Sequence, residues 1–297
     1  MYHNPVMLHE SVEALKIRPG GVYVDATFGG GGHSRAILEK LGNGRLIGFD
    51  QDEDAATNVP QDERFIFVPN NFRYLRNFLR YYGFNRVDGI LADLGVSSFQ
   101  IDAPQRGFST RFEGVLDMRM DLSNPLDAAT VVNTYSLEDL TRIFNLYGEL
   151  PQARRFAEAV LRARPIQTTG ELRKSVEKLL PKGKEHKPLA QLFQALRIEV
   201  NQELEVLEEF LQQSIEMLDN GGRLVVIAYH SLEDRLVKNY MKAGNATGEA
   251  EKDFFGNSKS SLRPMSRKAL TPSDEELQLN NRSRSARLRV AEKVMMP

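Results

Sequence analysis

Residues 22–34 constrain the fold of this chain more than any other segment. A short run rich in β-branched residues ends in Asp25, and a loop with four consecutive glycines at 29–32 follows it. The pattern of a helix begins at Ser34 and continues to Leu41. Strand, glycine loop and helix form the first unit of a nucleotide-binding α/β domain, because a loop without Cβ atoms lets the backbone approach a ligand closely.

The spacing of these glycines disfavours a dinucleotide ligand. A pyrophosphate fingerprint has a third glycine three residues after the second, and this chain has Ser34 or Arg35 there. The carboxylate of Asp25 would repel a pyrophosphate but attract an ammonium group, which S-adenosylmethionine carries. Asp50 ends a second apolar run about 20 residues further on, where an acid binds a ribose. We expect S-adenosylmethionine here, and a NAD-dependent oxidoreductase is an alternative.

Hydrophobic patterns predict an α/β fold with a parallel sheet. Strand-like runs at 22–26, 45–49, 65–68 and 87–93 alternate with helical stretches, among them 72–82. Helices are predicted at 136–147, 153–164, 169–180 and 189–218, and strands resume at 223–229, after a turn at 220–222, and at 286–294. The predicted domains are a discontinuous α/β domain, 1–102 with 197–297, and a helical insertion at 103–196. A polar stretch at 243–261 is expected to be mobile.

Composition excludes several classes of protein. The chain has no cysteine, which excludes disulfides, thiolate catalysis and cysteine-ligated zinc. No run approaches the roughly 18 apolar residues of a membrane span, and the first residues do not have the pattern of a secretory signal. A cytoplasmic protein that does not contact membranes is therefore expected.

The charge of the chain is unevenly distributed. Its net charge is −1, but residues 151–197 contain 11 Lys or Arg against 4 Asp or Glu, and residues 259–297 contain 9 against 4. Such basic segments are either docking surfaces for nucleic acid or solvated helical faces. The arginines that we expect to bind RNA phosphates are Arg154, Arg155, Arg162 and Arg164 in the first segment and Arg282, Arg284, Arg287 and Arg289 in the second.

Several motifs follow one another along the chain. They are DATFGGGGHS at 25–34, DLGVSS at 93–98, RGFS at 106–109, LDMRMD at 116–121, FQALRI at 193–198 and HSLEDR at 230–235. This ordered set resembles the ribosomal RNA small subunit methyltransferase H family. The resemblance implies a class I S-adenosylmethionine-dependent methyltransferase fold (Rossmann-like) with an inserted helical domain. It also implies methylation of N4 of a cytidine in the decoding region of 16S rRNA in the small ribosomal subunit. A homodimer is left open.

The resemblance also implies which residues form the site. The cofactor contacts would be Gly31, Gly32, His33, Asp50, Phe72, Asp93 and Gln100. Methyl transfer from a sulfonium is an in-line displacement that needs no metal, but the amine of cytosine is a poor nucleophile. A hydrogen-bond acceptor facing that amine would activate it, and the candidates for catalytic residues are Asp93, His230 and Ser231. Ser231 is also a candidate cap for a helix at 232–241, and Phe72 a candidate core aromatic.

Two further functions remain as alternatives from the sequence. One is a methyltransferase that acts on another RNA, a protein or a small molecule, and the other is a non-enzymatic RNA-binding assembly factor.

The chain departs from the family at Ala190 and Gln191, where a threonine–arginine pair is common, so an RNA contact is not assigned there.

Overall fold

The computed structural model describes residues 5–250 and 260–295, except for the side chain of Ser98. The chain forms two compact units, Met1–Gly95 with Leu204–Pro297 and Val96–Glu203. The second unit is longer at both ends than the insertion expected at 103–196, because it also contains a short helix at Ser98–Asp102 and the last turn of the helix His186–Asn201. Residues 251–259 of the segment expected to be mobile, 243–261, lie outside the described residues.

The first unit contains one mixed sheet. Its strands are β1 (Val22–Asp25), β2 (Arg45–Phe49), β3 (Phe65–Val68), β4 (Val87–Asp93), β5 (Leu218–Ala228), β6 (Leu262–Pro264) and β7 (Arg287–Lys293). Their spatial order is β3-β2-β1-β4-β5-β7-β6. Strands β1 to β5 are parallel, and β7 pairs antiparallel with both β5 and β6. The predicted α/β, Rossmann-like sheet of a class I methyltransferase is therefore confirmed.

Twelve α-helices accompany the sheet in the described part of the chain. They are α1 (Leu8–Ala14), α2 (Gly32–Lys40), α3 (Leu75–Tyr81), α4 (Ser98–Asp102), α5 (Ala128–Thr134), α6 (Leu137–Leu146), α7 (Ala153–Ala163), α8 (Thr169–Val176), α9 (His186–Asn201), α10 (Glu203–Met217), α11 (Ser231–Ala243) and α12 (Asp274–Leu279). Helices α4 to α9 lie in the second unit. None of the helices in residues 5–250 and 260–295 combines the length and apolarity needed to cross a membrane.

Alternation along the strands explains how both faces of the sheet are buried. Val24, Ile47 and Ile90 point to one face, where they pack with residues of α3, α10 and α11. Their chain neighbours point to the other face and pack with residues of α1 and α2. Each fully buried aliphatic side chain contributes about 1.5–3 kcal/mol through removal of apolar area from water. The sheet is thus fixed from both faces, which holds its strand ends in place.

The structure corrects three sequence predictions in these elements. The turn expected at 220–222 lies inside β5, where the register shifts as a bulge between the pairs Val87–Leu218 and Gly89–Arg223. The single helix expected at 189–218 is two helices, because Gln202 adopts a left-handed conformation with φ 51°. The helix expected at 169–180 ends at Val176, and the side chain of Thr168 caps its first turn.

The second unit has its own helical core. Residues of α5, α6, α7 and α9 form this core, with Phe144, Val160 and Leu196 fully buried. The arginines on α7 differ in environment: Arg154, Arg155 and Arg162 are exposed. Arg164 instead donates to the backbone oxygens of Val132 and Tyr135, at 2.6 and 2.5 Å. Arg164, which the sequence grouped with these arginines as an RNA contact, follows α7 as its C-cap, and its guanidinium holds the end of α5.

Candidate functional site

The candidate site lies at the carboxyl edge of the sheet, within the first unit. The strand order reverses between β1 and β4, which are neighbours in the sheet. In open α/β sheets, ligands bind in the crevice outside the strand ends at such a reversal. Asp25 ends β1, Asp93 ends β4, and Asp50 directly follows β2. Parallel pairing therefore brings these three carboxylates to one edge, as the sequence predicted.

Asp25 is hydrogen-bonded to both ends of the segment that contains the glycine loop. Its carboxylate is fully buried and accepts hydrogen bonds from the Ser34 hydroxyl, at 2.7 Å, and from the Thr27 backbone N–H, at 3.2 Å. Burial raises the pKa of Asp25 to about 6, although both hydrogen bonds act in the opposite direction. Its oxygens face the loop and the start of α2, and its attraction for a ligand ammonium stays a prediction.

The glycine loop passes close to its neighbours, which explains why it lacks Cβ atoms. Gly31 is the N-cap of α2 with φ 73°, a left-handed conformation, and a Cβ there would lie 2.9 Å from the ring of Phe28. A Cβ on Gly32 would lie 2.1 Å from Cγ of Pro5. Helix α2 thus begins at Gly32, earlier than the Ser34 that the sequence predicted. Its unsatisfied N–H groups begin at this same edge of the sheet.

Asp50 is tied to the same loop. One carboxylate oxygen accepts from the backbone N–H of Gly29 at 2.7 Å, and the other from that of Asp52 at 2.9 Å. Burial raises the pKa of Asp50 to about 6, against the effect of these two hydrogen bonds. Because each carboxylate oxygen has two lone pairs, both oxygens keep the capacity to accept a ligand hydroxyl. The geometry is suitable for the ribose contact predicted from the sequence.

Asp93 is paired with a tyrosine that the sequence analysis missed. The Tyr229 hydroxyl donates to Oδ1 of Asp93 at 2.6 Å, and the backbone N–H of Asp93 donates to the Thr27 hydroxyl at 2.7 Å. Burial raises the pKa of Asp93 to about 6, whereas nearby His33 and the Tyr229 bond lower it. Within the described residues, Oδ2 of Asp93 accepts no hydrogen bond, so one oxygen is held and the other is open to a ligand.

Tyr229 could have been found only from the pairing of two distant strands. It follows β5 directly, and Asp93 pairs with Ile227 of that strand, which places Tyr229 beside the end of β4. Burial and the charge of Asp93 raise the pKa of Tyr229 well above its usual range. The phenol is therefore a permanent donor to Asp93 near neutral pH.

His33 is a buried, neutral histidine. Its ring is 5% exposed, and Nε2 lies 3.2 Å from the carbonyl oxygen of Val6. Because a carbonyl can only accept, the proton is assigned to Nε2, and Nδ1 is left as an acceptor. Burial lowers the pKa of His33, while the charge of Asp93 acts in the opposite direction. The neutral ring is suited to positioning a ligand.

His230, and not Ser231, caps the start of α11. His230 is the N-cap, and its Nδ1 accepts from the Glu233 backbone N–H at 3.4 Å. Its Nε2 lies 3.1 Å from a carboxylate oxygen of Glu233 without hydrogen-bond geometry, and this buried acid accepts from the Tyr229 N–H at 2.9 Å. Ser231 is the first helical residue and is exposed. The prediction that Ser231 caps the helix is wrong.

Phe72 and Gln100 have local structural partners. The ring of Phe72 packs edge-on against that of Phe210, with centroids 5.0 Å apart, and Phe72 is only partly buried. Gln100 belongs to the second unit, where it forms a capping box with Ser97 at the start of α4. Its side-chain oxygen accepts from the Ser97 N–H at 3.0 Å. Cofactor contacts for both residues stay predictions.

The raised pKa of Asp25 predicts a component of stability that depends on pH. The folded-state pKa of about 6 lies above the ordinary value of 3.8, so the folded protein binds this proton more tightly than the unfolded chain. The contribution is fully present below pH 3.8 and is lost as the pH rises through 6. It amounts to about 3 kcal/mol.

Asp25→Asn should remove this component. Urea unfolding at several values between about pH 4 and pH 7 measures it, since the difference in free energy of unfolding between wild type and variant isolates Asp25 from Asp50 and Asp93. We expect that difference to move by about 2–3 kcal/mol in favour of the variant as the pH rises. Parallel profiles for the two proteins would contradict the assignment.

Comparisons with known proteins identify the family of this chain. The model of the MraW methylase family matches residues 1–294. A protein from Flavobacterium johnsoniae, named Ribosomal RNA small subunit methyltransferase H, is 56% identical over 99% of this chain and 98% of its own length. Proteins of the same name from Parabacteroides distasonis and Bacteroides thetaiotaomicron are 57% and 56% identical, over 99% and 98% of this chain and 98% and 97% of their own lengths. With a family match over nearly its whole length, the chain belongs to the MraW methylase family.

Proposed function

We propose that this protein transfers a methyl group from S-adenosylmethionine to N4 of a cytidine in the decoding region of 16S rRNA. Relatives that are more than half identical along nearly the whole chain are named as methyltransferases of small-subunit ribosomal RNA. The observation that carries the chemistry is Asp93, with one oxygen held by Tyr229 and the other open at the edge that the glycine loop and Asp50 share. A ribosomal substrate also supports the expected cytoplasmic location.

The residues at this edge fit S-adenosylmethionine. When bound, the cofactor supplies the methyl group from its sulfonium. Gly31 and Gly32 leave the backbone approachable, and the oxygens of Asp50 can accept two ribose hydroxyls. His33 is neutral, so it adds no positive charge beside a sulfonium. Phe72 and Gln100 complete the proposed set of cofactor contacts.

Asp93 is the proposed acceptor of the amine hydrogen. When the cytosine amine donates a hydrogen bond to the open oxygen of Asp93, the electron density on its nitrogen rises. The amine is then a better nucleophile. Because the pKa of Asp93 is raised to about 6, the group is mostly ionised at neutral pH and can still take a proton as the nitrogen becomes positive. Tyr229 fixes the carboxylate in one orientation, so its charge is in place before reaction.

His230 and Ser231 are proposed to contact the target base. They follow β5, the neighbour of β4 in the sheet, so they begin α11 next to the strand that ends in Asp93. The target amine is paired inside a duplex, so the cytidine must be single-stranded or flipped out of a stack. An exposed Ser231 hydroxyl is suited to hydrogen bonding with the edge of such a base.

The proposed RNA contacts are the arginines that the fold leaves on the surface. Arg154, Arg155 and Arg162 are exposed on α7, although Arg154 has a weak pair with Glu158 at 3.3 Å. In the second basic segment, Arg284 is exposed. Arg287 and Arg289 are less available, because both pair with Asp234.

The direct test is to incubate the protein with labelled S-adenosylmethionine and small ribosomal subunits lacking the modification, and then to map the methylated nucleoside. We expect N4-methylcytidine in the decoding region.

Asp93→Asn, which keeps the shape of the side chain but removes its charge, should lower kcat by about 10²–10³-fold. Tyr229→Phe should lower kcat less and leave cofactor affinity unchanged. Label on a protein, or on another nucleotide, would overturn the proposed reaction, and normal turnover of Asp93→Asn would remove its catalytic role.

Asp50→Ala should weaken binding of S-adenosylmethionine. The substitution removes the carboxylate oxygens that accept the ribose hydroxyls, and the loss of a charged hydrogen bond costs roughly 1.5–3 kcal/mol. Calorimetry should show affinity lower by about 10-fold or more, with the variant still folded by circular dichroism. Glu53→Ala is a matched control, since that exposed acid lies three positions away. Equal affinities for Asp50→Ala and wild type would place the ribose elsewhere.

Neutralising the exposed arginines of α7 should weaken RNA binding in a salt-dependent way. The triple change of Arg154, Arg155 and Arg162 to Gln should flatten the slope of log affinity against log salt by about 0.7–0.9 for each phosphate that the variant no longer binds. The control is the same change of three exposed lysines of the first unit, Lys16, Lys40 and Lys242. If both variants change the slope equally, α7 has no specific part in RNA binding.

A further inference from the structure

An aromatic and basic surface on the first unit has no role in the proposed reaction. Residues 73–86 contain four arginines and no acid. The side chains of Tyr74 and Tyr81 are 46% and 80% exposed, although aromatic rings of this size are usually covered. They line an open pocket whose other members are Asn70, Asn77 and Phe78. None of these five residues belongs to the candidate site described above.

The pocket offers ring faces and amide groups together. Phe78 is half-buried and packs edge-on against Phe49 of β2, with centroids 6.0 Å apart, which anchors the pocket to the core. The side-chain oxygen of Asn70 accepts from the Asn71 N–H at 2.9 Å. The side chain of Asn77 makes no hydrogen bond within residues 5–250 and 260–295, so its donors and acceptor are available to a ligand.

The charge beside the pocket is only partly neutralised. Arg73 forms two hydrogen bonds with the carboxylate of Glu209, at 2.9 and 2.7 Å, and Arg76 pairs with Glu216 at 2.8 Å. Arg80 is exposed, and in the described part of the chain it has no ion pair. Arg80 directly precedes Tyr81 on α3, so an exposed cation lies in the same helical turn as the more exposed ring of the pocket.

We propose that this pocket binds an unstacked nucleobase of the RNA substrate. A base stacks on the face of Tyr81 and on the face of Tyr74 opposite the Arg73 guanidinium, whose carbon lies 5.9 Å from the Tyr74 ring centroid. The amides of Asn70 and Asn77 contact the base edge, and Arg80 binds an adjacent phosphate. Planar apolar faces, polar edges and an anionic backbone occur together in single-stranded nucleic acid, and proteins bind it through such combinations of aromatic rings and cations. An acidic protein segment would use Arg80 but would leave both tyrosine faces without planar partners.

The position of the pocket agrees with a second nucleotide near the target. Asn70 follows β3 at the same edge of the sheet as the candidate site. Its neighbour Asn71 donates to the side chain of Gln51 at 2.7 Å, and Gln51 follows Asp50 directly. The pocket therefore lies on the β3 side of the cofactor-binding edge and is formed by different side chains. This inference rests on the proposed function, since it assumes an RNA substrate.

A tryptophan reporter tests the stack directly, because the chain contains no tryptophan. The emission of Tyr81→Trp is titrated with a single-stranded oligonucleotide of the decoding-region sequence and with an abasic oligonucleotide of equal length. We expect saturable quenching by the first and little by the second. Leu279→Trp, at a position 76% exposed on α12, is the control for non-specific quenching. Equal quenching by both oligonucleotides, or none where anisotropy shows binding, would overturn the proposal.

Truncation of the Tyr81 ring distinguishes a base-binding pocket from a contact with the cofactor or with a protein. Tyr81→Ala should raise the Kd for the oligonucleotide by about 5–100-fold, the range that removal of a base–aromatic stack gives, while Leu279→Ala should leave it unchanged. The Kd for S-adenosylmethionine should stay at the wild-type value, and a weaker one would assign the pocket to the cofactor. Weaker binding of assembled subunits alone, with the oligonucleotide unaffected, would assign it to a protein contact.

Two kinds of failure can be told apart. If wild type methylates small subunits and Tyr81→Ala matches it in RNA affinity and KM, the pocket does not bind a base, and the proposed function stands. If wild type methylates no RNA, the proposed function fails and the pocket proposal fails with it.

Discussion

The buried carboxylate of Asp25 organises the edge of the sheet. It accepts from Ser34 at the start of α2 and from the backbone of Thr27, whose hydroxyl in turn accepts from the backbone of Asp93. One acid thus connects the end of β1, the glycine loop and the end of β4. A pKa raised to about 6 means that keeping this group ionised at neutral pH costs about 3 kcal/mol. The ionised carboxylate therefore lowers the free energy of unfolding at neutral pH, while its hydrogen bonds hold the glycine loop in place.

Three carboxylates at this edge have similarly raised pKa values but differ in their partners. Asp25 is enclosed, Asp50 accepts from two backbone N–H groups, and Asp93 accepts from a single phenol. Geometry therefore separates their roles where pKa does not. Two backbone N–H bonds orient the carboxylate of Asp50, which suits its proposed contact with ribose hydroxyls. The tyrosine leaves Asp93 with one free oxygen, which suits its proposed contact with the target amine.

Sequence patterns predicted the strands that end in acids, because strand periodicity and the glycine loop are local signals. The same patterns missed the Tyr229–Asp93 bond, which joins residues 136 positions apart and depends on the register between β4 and β5. They also did not predict the burial of Asp25, which follows from packing that composition does not reveal. Histidine is not among the common N-cap residues, so the sequence predicted the adjacent Ser231 as the cap of α11 instead of His230.

The arginines show why charge counted along a sequence overstates a binding surface. Segment sums predicted two basic regions, but Arg164 holds backbone carbonyls, and Arg287 and Arg289 neutralise Asp234. The sequence predicted a helix at 72–82 with Phe72 as a cofactor contact, and two arginines of this stretch pair with acids of α10. Arg80 remains without an ion pair in the described residues, in the same helical turn as the exposed Tyr81. A cation without an acidic partner, in the same turn as an exposed ring, is a better sign of a ligand than the net charge of a segment.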